Sequence, residues 1–411
     1  MQTAELSYVH RDCLDLVAGV LISQGSSLAL DQLQKPCVLA APQDLAPGRW
    51  MAMDSLTGQV FGEALPIQPG QLSPEARTLL DWADQARTLE IRANVSGVED
   101  LAQALEWGAS GVGLLRIDTL LLRSERLSLF QTCLRQICCQ GLTESPELKL
   151  LTEQLQLDCQ SLFQTSGPIR FNLRLLDAPM SLMLRYWKES GSLPEDYWAE
   201  PLGDWLHELN PTQGLRAGRV GSLFPALSEL QMRAALRACR LHPVQLQLMI
   251  PGVCDVRELA LARQLCRQIC QQEQLEMPQI GAMLELPRAC LTADRLAEEA
   301  DFLSFGTGDL SESTCGISRY DAALSFLPGF LEQKIFGRDP FQAIDQEGVG
   351  ELMRLASAKV RGRVELGTCG AQAADPASLK FCAELGLDYV SVPARHLPAA
   401  RLAAAQLGKE T

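Results

Sequence analysis

From about residue 89 onward, short apolar runs alternate with amphipathic helical stretches, and this alternation restricts the fold more than any other feature of the chain. The strand candidates lie at 91–95, 112–116, 170–176, 247–250, 281–285, 302–306, 364–369 and 388–392. Eight strands in such alternation favour a closed parallel sheet over an open doubly wound one, so the expected class is α/β, a (β/α)8 barrel of the TIM type. Two excursions, 117–169 and 177–245, interrupt the rhythm. The second carries Trp187, Trp198 and Trp205, and long insertions of this kind commonly shape or cover a site.

Ahead of the barrel, β-like runs at 17–22, 36–40 and 50–53 precede a stiff segment with Pro66, Pro69 and Pro74 inside ten residues. Ser73-Pro74-Glu75 reads as a helix start, with a hydroxyl cap, proline in the first turn and an acid at the positive helix end. The expected domains are therefore 1–70 and 71–411. A net charge of −14 argues against nucleic acid or an anionic membrane as partner, since both need a basic surface. There is no membrane-length apolar run and no basic stretch leading into an apolar one near Met1, so a cytoplasmic location is expected. The 14 cysteines include no Cys-x2-Cys pair and only four histidines accompany them, which disfavours structural zinc.

Barrels of this type carry their chemistry at the C-terminal strand ends. There the sequence places Arg116 after the second strand, Arg174 and Asp177 after the third, Glu285 after the fifth, Asp309 after the sixth and Cys369 after the seventh. Two carboxylates, Glu285 and Asp309, suit Mg2+, which prefers a few hard oxygens from protein and the rest from substrate and water. Two arginines could clamp a phosphate or carboxylate. Cys369, in the turn Gly367-Thr-Cys-Gly370, could move a proton if its pKa were tuned. Each residue also has a plainer reading. Arg116 and Glu285 could pair inside the barrel, Asp309 could cap a helix, Cys369 could be an inert thiol and Arg216 could lie on the surface. The pattern by itself supports metal-assisted chemistry on a small anion.

Several motifs go further. Ile280-Gly-Ala-Met-Leu-Glu-Leu-Pro-Arg-Ala-Cys-Leu-Thr-Ala-Asp294, Phe302-Leu-Ser-Phe-Gly-Thr-Gly-Asp-Leu310, Gly316-Ile-Ser-Arg-Tyr-Asp321, Asp345-Gln-Glu-Gly-Val-Gly-Glu-Leu352 and Gly386-Leu-Asp-Tyr-Val-Ser391 occur in this order, with Gly367-Thr-Cys-Gly370 between the last two. Over nearly all of 85–411 the chain resembles the pyruvate phosphate dikinase family. Lys35-Pro-Cys-Val38 and Asp54-Ser-Leu-Thr-Gly-Gln-Val60 resemble the end of that family's swivelling phosphohistidine domain, so 1–70 would be a remnant of it. The resemblance implies a barrel that binds phosphoenolpyruvate or pyruvate with Mg2+ and exchanges a phosphoryl group with a phosphohistidine. It puts the metal ligands on Glu285 and Asp309, and the proton-moving cysteine on Cys369. Substrate contacts fall on Arg116, Arg174, Asp177, Arg216, Glu285, Thr307, Gly308 and Asp309. A homodimer, or association with a related enzyme, is also implied.

The departures matter as much. No counterpart of the family's ATP-binding domain is found, and the loop Gly-Gly-Met-Thr-Ser-His is missing between Gly19 and Lys35. The histidines, His10, His207, His242 and His396, fall elsewhere, so a self-sufficient kinase is not expected. Gly308 replaces an asparagine that would donate to substrate, a loss of about 1.5–3 kcal/mol if the contact was to charge. Cys369-Gly-Ala-Gln-Ala-Ala374 replaces Cys-Gly-Glu-His-Gly-Gly, removing an acid and an imidazole beside the thiol, and Asp118 replaces a glutamate. Three readings stay open: a dikinase-like half-site, a non-catalytic sensor or regulator of a full-length relative, and a lyase or mutase acting on an α-keto acid.

Overall fold

The computed structural model describes residues 72–189, 191, 195–198 and 201–407, with four three-residue strands before them. The chain divides into two compact units, Met1–Ser73 with Ile317–Asp339, and Pro74–Gly316 with Pro340–Thr411. In the first unit, Val20–Ile22 pairs in parallel with Cys37–Leu39, and Ala52–Asp54 pairs antiparallel with Gln59–Phe61. His10 and the stretch 23–35, where the family's phosphohistidine loop would fall, lie outside the described residues.

The second unit is a closed barrel of eight parallel strands, as the alternation predicts. In chain order they are β1 (Glu90–Val95), β2 (Gly111–Arg116), β3 (Arg170–Arg174), β4 (Gln245–Ile250), β5 (Gln279–Leu284), β6 (Phe302–Phe305), β7 (Glu365–Thr368) and β8 (Tyr389–Pro393). Each pairs with its successor, and β8 closes on β1 through Tyr389↔Glu90 to Pro393↔Asn94. The strands read as apolar runs because both faces are covered, one by the barrel interior and one by the helices. The helices start where the sequence supplies caps. Asp255 and Glu258 form a reciprocal capping box for Val256–Glu273, and Ser145 caps Pro146–Ser166.

The N-terminal end of the barrel is closed by charge rather than by aliphatic packing. Arg92 on β1 is fully buried, and its guanidinium reaches Glu90 at 2.7 Å and Glu365 at 2.5 Å. It also lies 3.8 Å over the ring of Tyr389. Gly367 must be glycine here, because an added Cβ would stand 2.3 Å from that ring. A second ionic clamp ties helix Leu397–Leu407 to helix Pro74–Ala86. Arg401 on Leu397–Leu407 holds both oxygens of Asp84, at 3.1 and 2.6 Å, and donates to the Trp107 carbonyl at 2.8 Å.

Arg401 is buried, and Asp84 is partly exposed. Replacing Arg401 with alanine leaves the Asp84 carboxylate short of its main donor and the Trp107 carbonyl unpaired. The expected cost is about 1.5–3 kcal/mol, the usual loss for hydrogen bonds to charged groups. Urea denaturation of Arg401→Ala against the parent chain measures it, and an unchanged midpoint would remove the clamp from the stability of the fold.

Candidate functional site

The polar strand ends meet at the C-terminal mouth, and Asp177 is their hub. β3 ends on Arg174, and two leucines later Asp177 turns inward, 4% exposed. Arg216 grips it with a fork: Nε donates to Oδ1 at 3.0 Å, and Nη2 to Oδ1 and Oδ2 at 2.9 Å each. Arg174 Nη1 pairs with Asp177 Oδ2 at 2.8 Å. Arg216 Nη1 goes on to Asp309 Oδ1 at 3.2 Å, and Arg174 Nη2 to Asp118 Oδ2 at 3.2 Å. Asp118 Oδ1 in turn accepts the Asp177 backbone N–H at 3.0 Å, so the shorter acid in the family's glutamate position still closes the ring.

Arg216 can reach because of the loop that carries it. Glu208 Oε1 accepts the Leu215 N–H at 2.7 Å, and Arg219 donates to the carbonyls of Gln213 and Gly214 at 3.0 and 2.7 Å. The next residue, Ala217, has φ 57° and ψ −135°, a conformation costing a non-glycine residue about 1–3 kcal/mol. It is held there because Gly218 N–H bonds the Pro251 carbonyl at 2.9 Å, and because Gly252, at φ +61°, offers no Cβ to collide with Ala217. The sequence left Arg216 between site and surface. The structure puts it inside the cluster.

Glu285 follows β5 and is 2% exposed. Its Oε1 accepts the Gly252 backbone N–H, while Oε2 is buried with no hydrogen-bond partner among the described residues. One carboxylate oxygen from each of Asp177, Glu285 and Asp309 lies within 4.8 Å of the others. Burial pushes Glu285 well above the ordinary carboxylate range, helped by the charges of Asp177 and Asp309 against the pull of Arg174 and Arg216. Asp177 is raised for the same first reason, burial, although Arg174 and Arg216 oppose it. Three hard oxygens this close, on a set whose Glu285 also carries a buried unpartnered oxygen, fit a divalent cation such as Mg2+. Asp309 does not cap its helix; Gly306 holds that position for Thr307–Cys315 and Asp309 sits in the first turn.

Cys369 follows β7 and packs with Met249, Met283 and Phe302. Burial pushes its thiol up to about 11, although the Ser304 hydroxyl beside it, Arg174 and Arg116 all pull the other way. Thr307 is buried, and its hydroxyl donates to Gln372 Oε1 at 2.7 Å. Gln372 Nε2 donates to Ser311 Oγ at 3.4 Å and the Pro340 carbonyl at 3.2 Å, so the amide in the histidine's place is spent on the scaffold. Gly308 leaves room: an added Cβ would meet nothing within 4 Å.

The structure thus bonds Arg174, Asp177, Arg216 and Asp309 into one group with Glu285 close by, and places Arg116 and Cys369 at neighbouring strand ends and Thr307 against the wall. Sequence reasoning missed two contributors, the Gly252 amide and the Ser304 hydroxyl. It also treated Asp177 as a substrate contact and not as a third oxygen donor. The Pro251-Gly252 pair after β4 was the available signal for the first.

Without a metal, the raised Glu285 and Asp177 make the folded state hold more protons than the unfolded chain at pH values between their ordinary and folded pKa. Stability should therefore fall as pH rises from Glu285's ordinary value near 4.5 through its folded pKa. A divalent cation displaces that proton, so Mg2+ should bind more tightly at higher pH and cancel the fall. Denaturation midpoints from about pH 5 to about pH 9, with and without Mg2+, test this. Glu285→Gln should flatten both trends, and identical slopes for parent and variant would assign them elsewhere.

Comparison with known proteins adds the family context. Residues 71–408 match the family model described as PEP-utilising enzyme, PEP-binding domain. A chloroplastic pyruvate, phosphate dikinase of Oryza sativa subsp. japonica is 34% identical over 415 residues, covering 94% of this chain and 43% of the rice protein. The Rickettsia bellii pyruvate, phosphate dikinase is 35% identical, covering 93% of this chain and 45% of its own length. That of Giardia intestinalis is 34% identical, covering 87% and 42% respectively. The chain spans less than half the length of these curated relatives.

Proposed function

The chain belongs to the family of phosphoenolpyruvate-utilising enzymes, through their phosphoenolpyruvate-binding domain, and from that premise we propose that its barrel binds phosphoenolpyruvate or pyruvate together with Mg2+. The observation that carries this reading is Glu285, with a buried unpartnered Oε2, set among Asp177 and Asp309 with one oxygen of each within 4.8 Å of the others, beside two guanidiniums. Glu285 and Asp309, with Asp177, would hold the cation, which when bound supplies Lewis-acid neutralisation of the substrate oxygens. Arg116 and Arg174 face the same mouth and would take the substrate's carboxylate or phosphate. Arg216 is already committed to Asp177 and Asp309 and would act by fixing them. The phosphoryl exchange itself needs a phosphohistidine from elsewhere.

A second reading, a binder without turnover, draws on the thiol. With its pKa near 11, Cys369 is protonated at neutral pH and can give a proton to the methyl carbon. The thiolate needed to take one back is a minor species at neutral pH. Gln372, tied to Thr307 and Ser311, offers no base in its place. Binding and turnover are therefore separable in this site.

Calorimetric titration with phosphoenolpyruvate should show binding that depends on Mg2+, and Glu285→Ala should lose most of the affinity along with the metal requirement. No heat at millimolar ligand with Mg2+ present would end the binding claim. Deuterium exchange into pyruvate decides turnover. Exchange through Cys369 should be slow at pH 7, rise about tenfold per pH unit toward 11 and vanish in Cys369→Ser. Brisk exchange at neutral pH would instead show that some base restores the thiolate, and would overturn the reading without turnover.

A further inference from the structure

Behind the loop that carries Arg216 lies a cavity of about 200 Å³ that the proposed reaction does not use. Its floor is apolar: Leu175 and Leu176 after β3, Ile250 at the end of β4, Leu227 from Pro225–Leu241 and Leu265 from Val256–Glu273. Ser222, Ser228, Gln264 and Gln268 line its polar side, and their side chains make no hydrogen bond among the described residues. Among the described residues, no lysine, arginine or histidine lines it. The single charged lining group among them, Glu258, is engaged by the backbone N–H groups of Cys254 and Asp255 at 2.7 and 3.0 Å. An anion would be buried there without a counter-charge, which is strongly unfavourable. A neutral guest is not penalised, and an apolar cavity of about 150 Å³ already suffices for benzene.

The wall facing the site is Ala217-Gly218, directly after Arg216. That wall is the strained segment, kept at φ 57° by the Gly218–Pro251 hydrogen bond and by the glycine at 252. Gly252 also donates to Glu285. A molecule in the cavity would press on residues bonded to both sides of the carboxylate cluster. Strained backbone packed against an open cavity can take up a second arrangement when the cavity fills.

We propose that this cavity is a binding site for a small uncharged molecule with an apolar body and one polar end, and that its occupancy sets the position of Arg216. The effect on Mg2+ rests on the metal reading of the site; the effect on the loop does not. Thermodynamic linkage then requires reciprocity, so the guest changes Mg2+ affinity by the factor by which Mg2+ changes the guest's.

The probe is benzyl alcohol, with benzoate as its charged twin, read by methyl NMR on the full chain with labelled leucine and isoleucine. Benzyl alcohol should saturably shift the methyls of Leu227, Leu265 and Ile250. Its Kd should be about 20 mM or tighter, the limit set by eight heavy atoms at ordinary ligand efficiency. Benzoate should bind at least about tenfold more weakly. The methyls of Leu215, next to Arg216 and outside the cavity wall, should move with the same binding curve. Mg2+ affinity should change by about fivefold or more, in a reciprocal way. Ala262→Phe, which takes up cavity volume away from the carboxylates, should abolish benzyl alcohol binding and with it any response of Mg2+ affinity to benzyl alcohol. If that variant does not fold, Ala262→Met should weaken the probe in the same direction. No saturable shift, or equal binding of the charged twin, overturns the site. A bound probe with Leu215 unmoved overturns the coupling. If Mg2+ binds with neither guest state, the metal reading fails while the Leu215 shift still decides the proposal.

Discussion

Everything at the mouth of this barrel depends on holding three carboxylates together, two of them, Asp177 and Glu285, buried. Asp177, Glu285 and Asp309 bring oxygens within 4.8 Å of one another, and two guanidiniums, from Arg174 and Arg216, are the compensating charge bonded to them. Two against three leaves the group formally negative, and Asp118, which also leans on Arg174, adds to the excess. Burial of unbalanced charge is costly, and proteins relieve it by taking up a proton or a cation. The upward push on Glu285 is the first response, and a divalent cation would be the second. Asp177 is the pivot because both arginines converge on it. They are themselves pulled down by burial, and the neighbouring carboxylates, Asp177 first, more than offset that, so both stay charged.

The eight strands were legible because parallel strands covered on both faces write themselves as apolar runs, and the structural limits fall within a few residues of those read from the sequence. The site was legible to the extent that it sits at strand ends. Arg116, Arg174, Glu285 and Cys369 all lie at or one residue past the end of a strand, where the alternation alone predicts their direction. What lay on long loops was harder. Arg216 comes from an excursion whose path is set by Glu208, Arg219 and a strained Ala217, none of which carries a periodic signal. The Gly252 amide could not be inferred from side chains at all, since a backbone donor is invisible to residue type. The loop before the barrel where the phosphohistidine would fall lies outside the described residues.

The substitutions that separate this chain from the family act on chemistry and spare the scaffold, each for a local reason. Gln372 keeps a hydrogen-bonding side chain where an imidazole would stand, and it satisfies Thr307, Ser311 and the Pro340 carbonyl, so the turn after β7 stays tied to the helix after β6. Gly308 removes a side chain from a position with free space around it, which costs packing nothing. Asp118 is one methylene shorter than glutamate yet still bonds both Arg174 and the Asp177 amide. The electrostatic clamp is bonded throughout, and Gln372, close to the thiol in sequence, is bonded to the scaffold.

That separation follows from how this barrel divides its tasks between its two ends. The N-terminal end is held by Arg92, Glu90 and Glu365 with the ring of Tyr389, a network with no member in the carboxylate cluster. Helix Leu397–Leu407 is fastened to helix Pro74–Ala86 by Arg401 and Asp84, away from the mouth. Neither device needs Cys369 to be acidic or Gly308 to be asparagine. Proton-transfer groups can therefore erode without unfolding the protein, but the carboxylate–arginine cluster cannot erode one residue at a time. Removing Arg216 would leave Asp177 with Arg174 alone and take the guanidinium from Asp309, and removing Asp177 would leave Arg174 with Asp118 and Arg216 with Asp309, each change upsetting the charge balance of a largely buried group. The cluster is locked by its own electrostatics, and for that reason its presence follows from the charge balance of the fold and does not by itself require turnover.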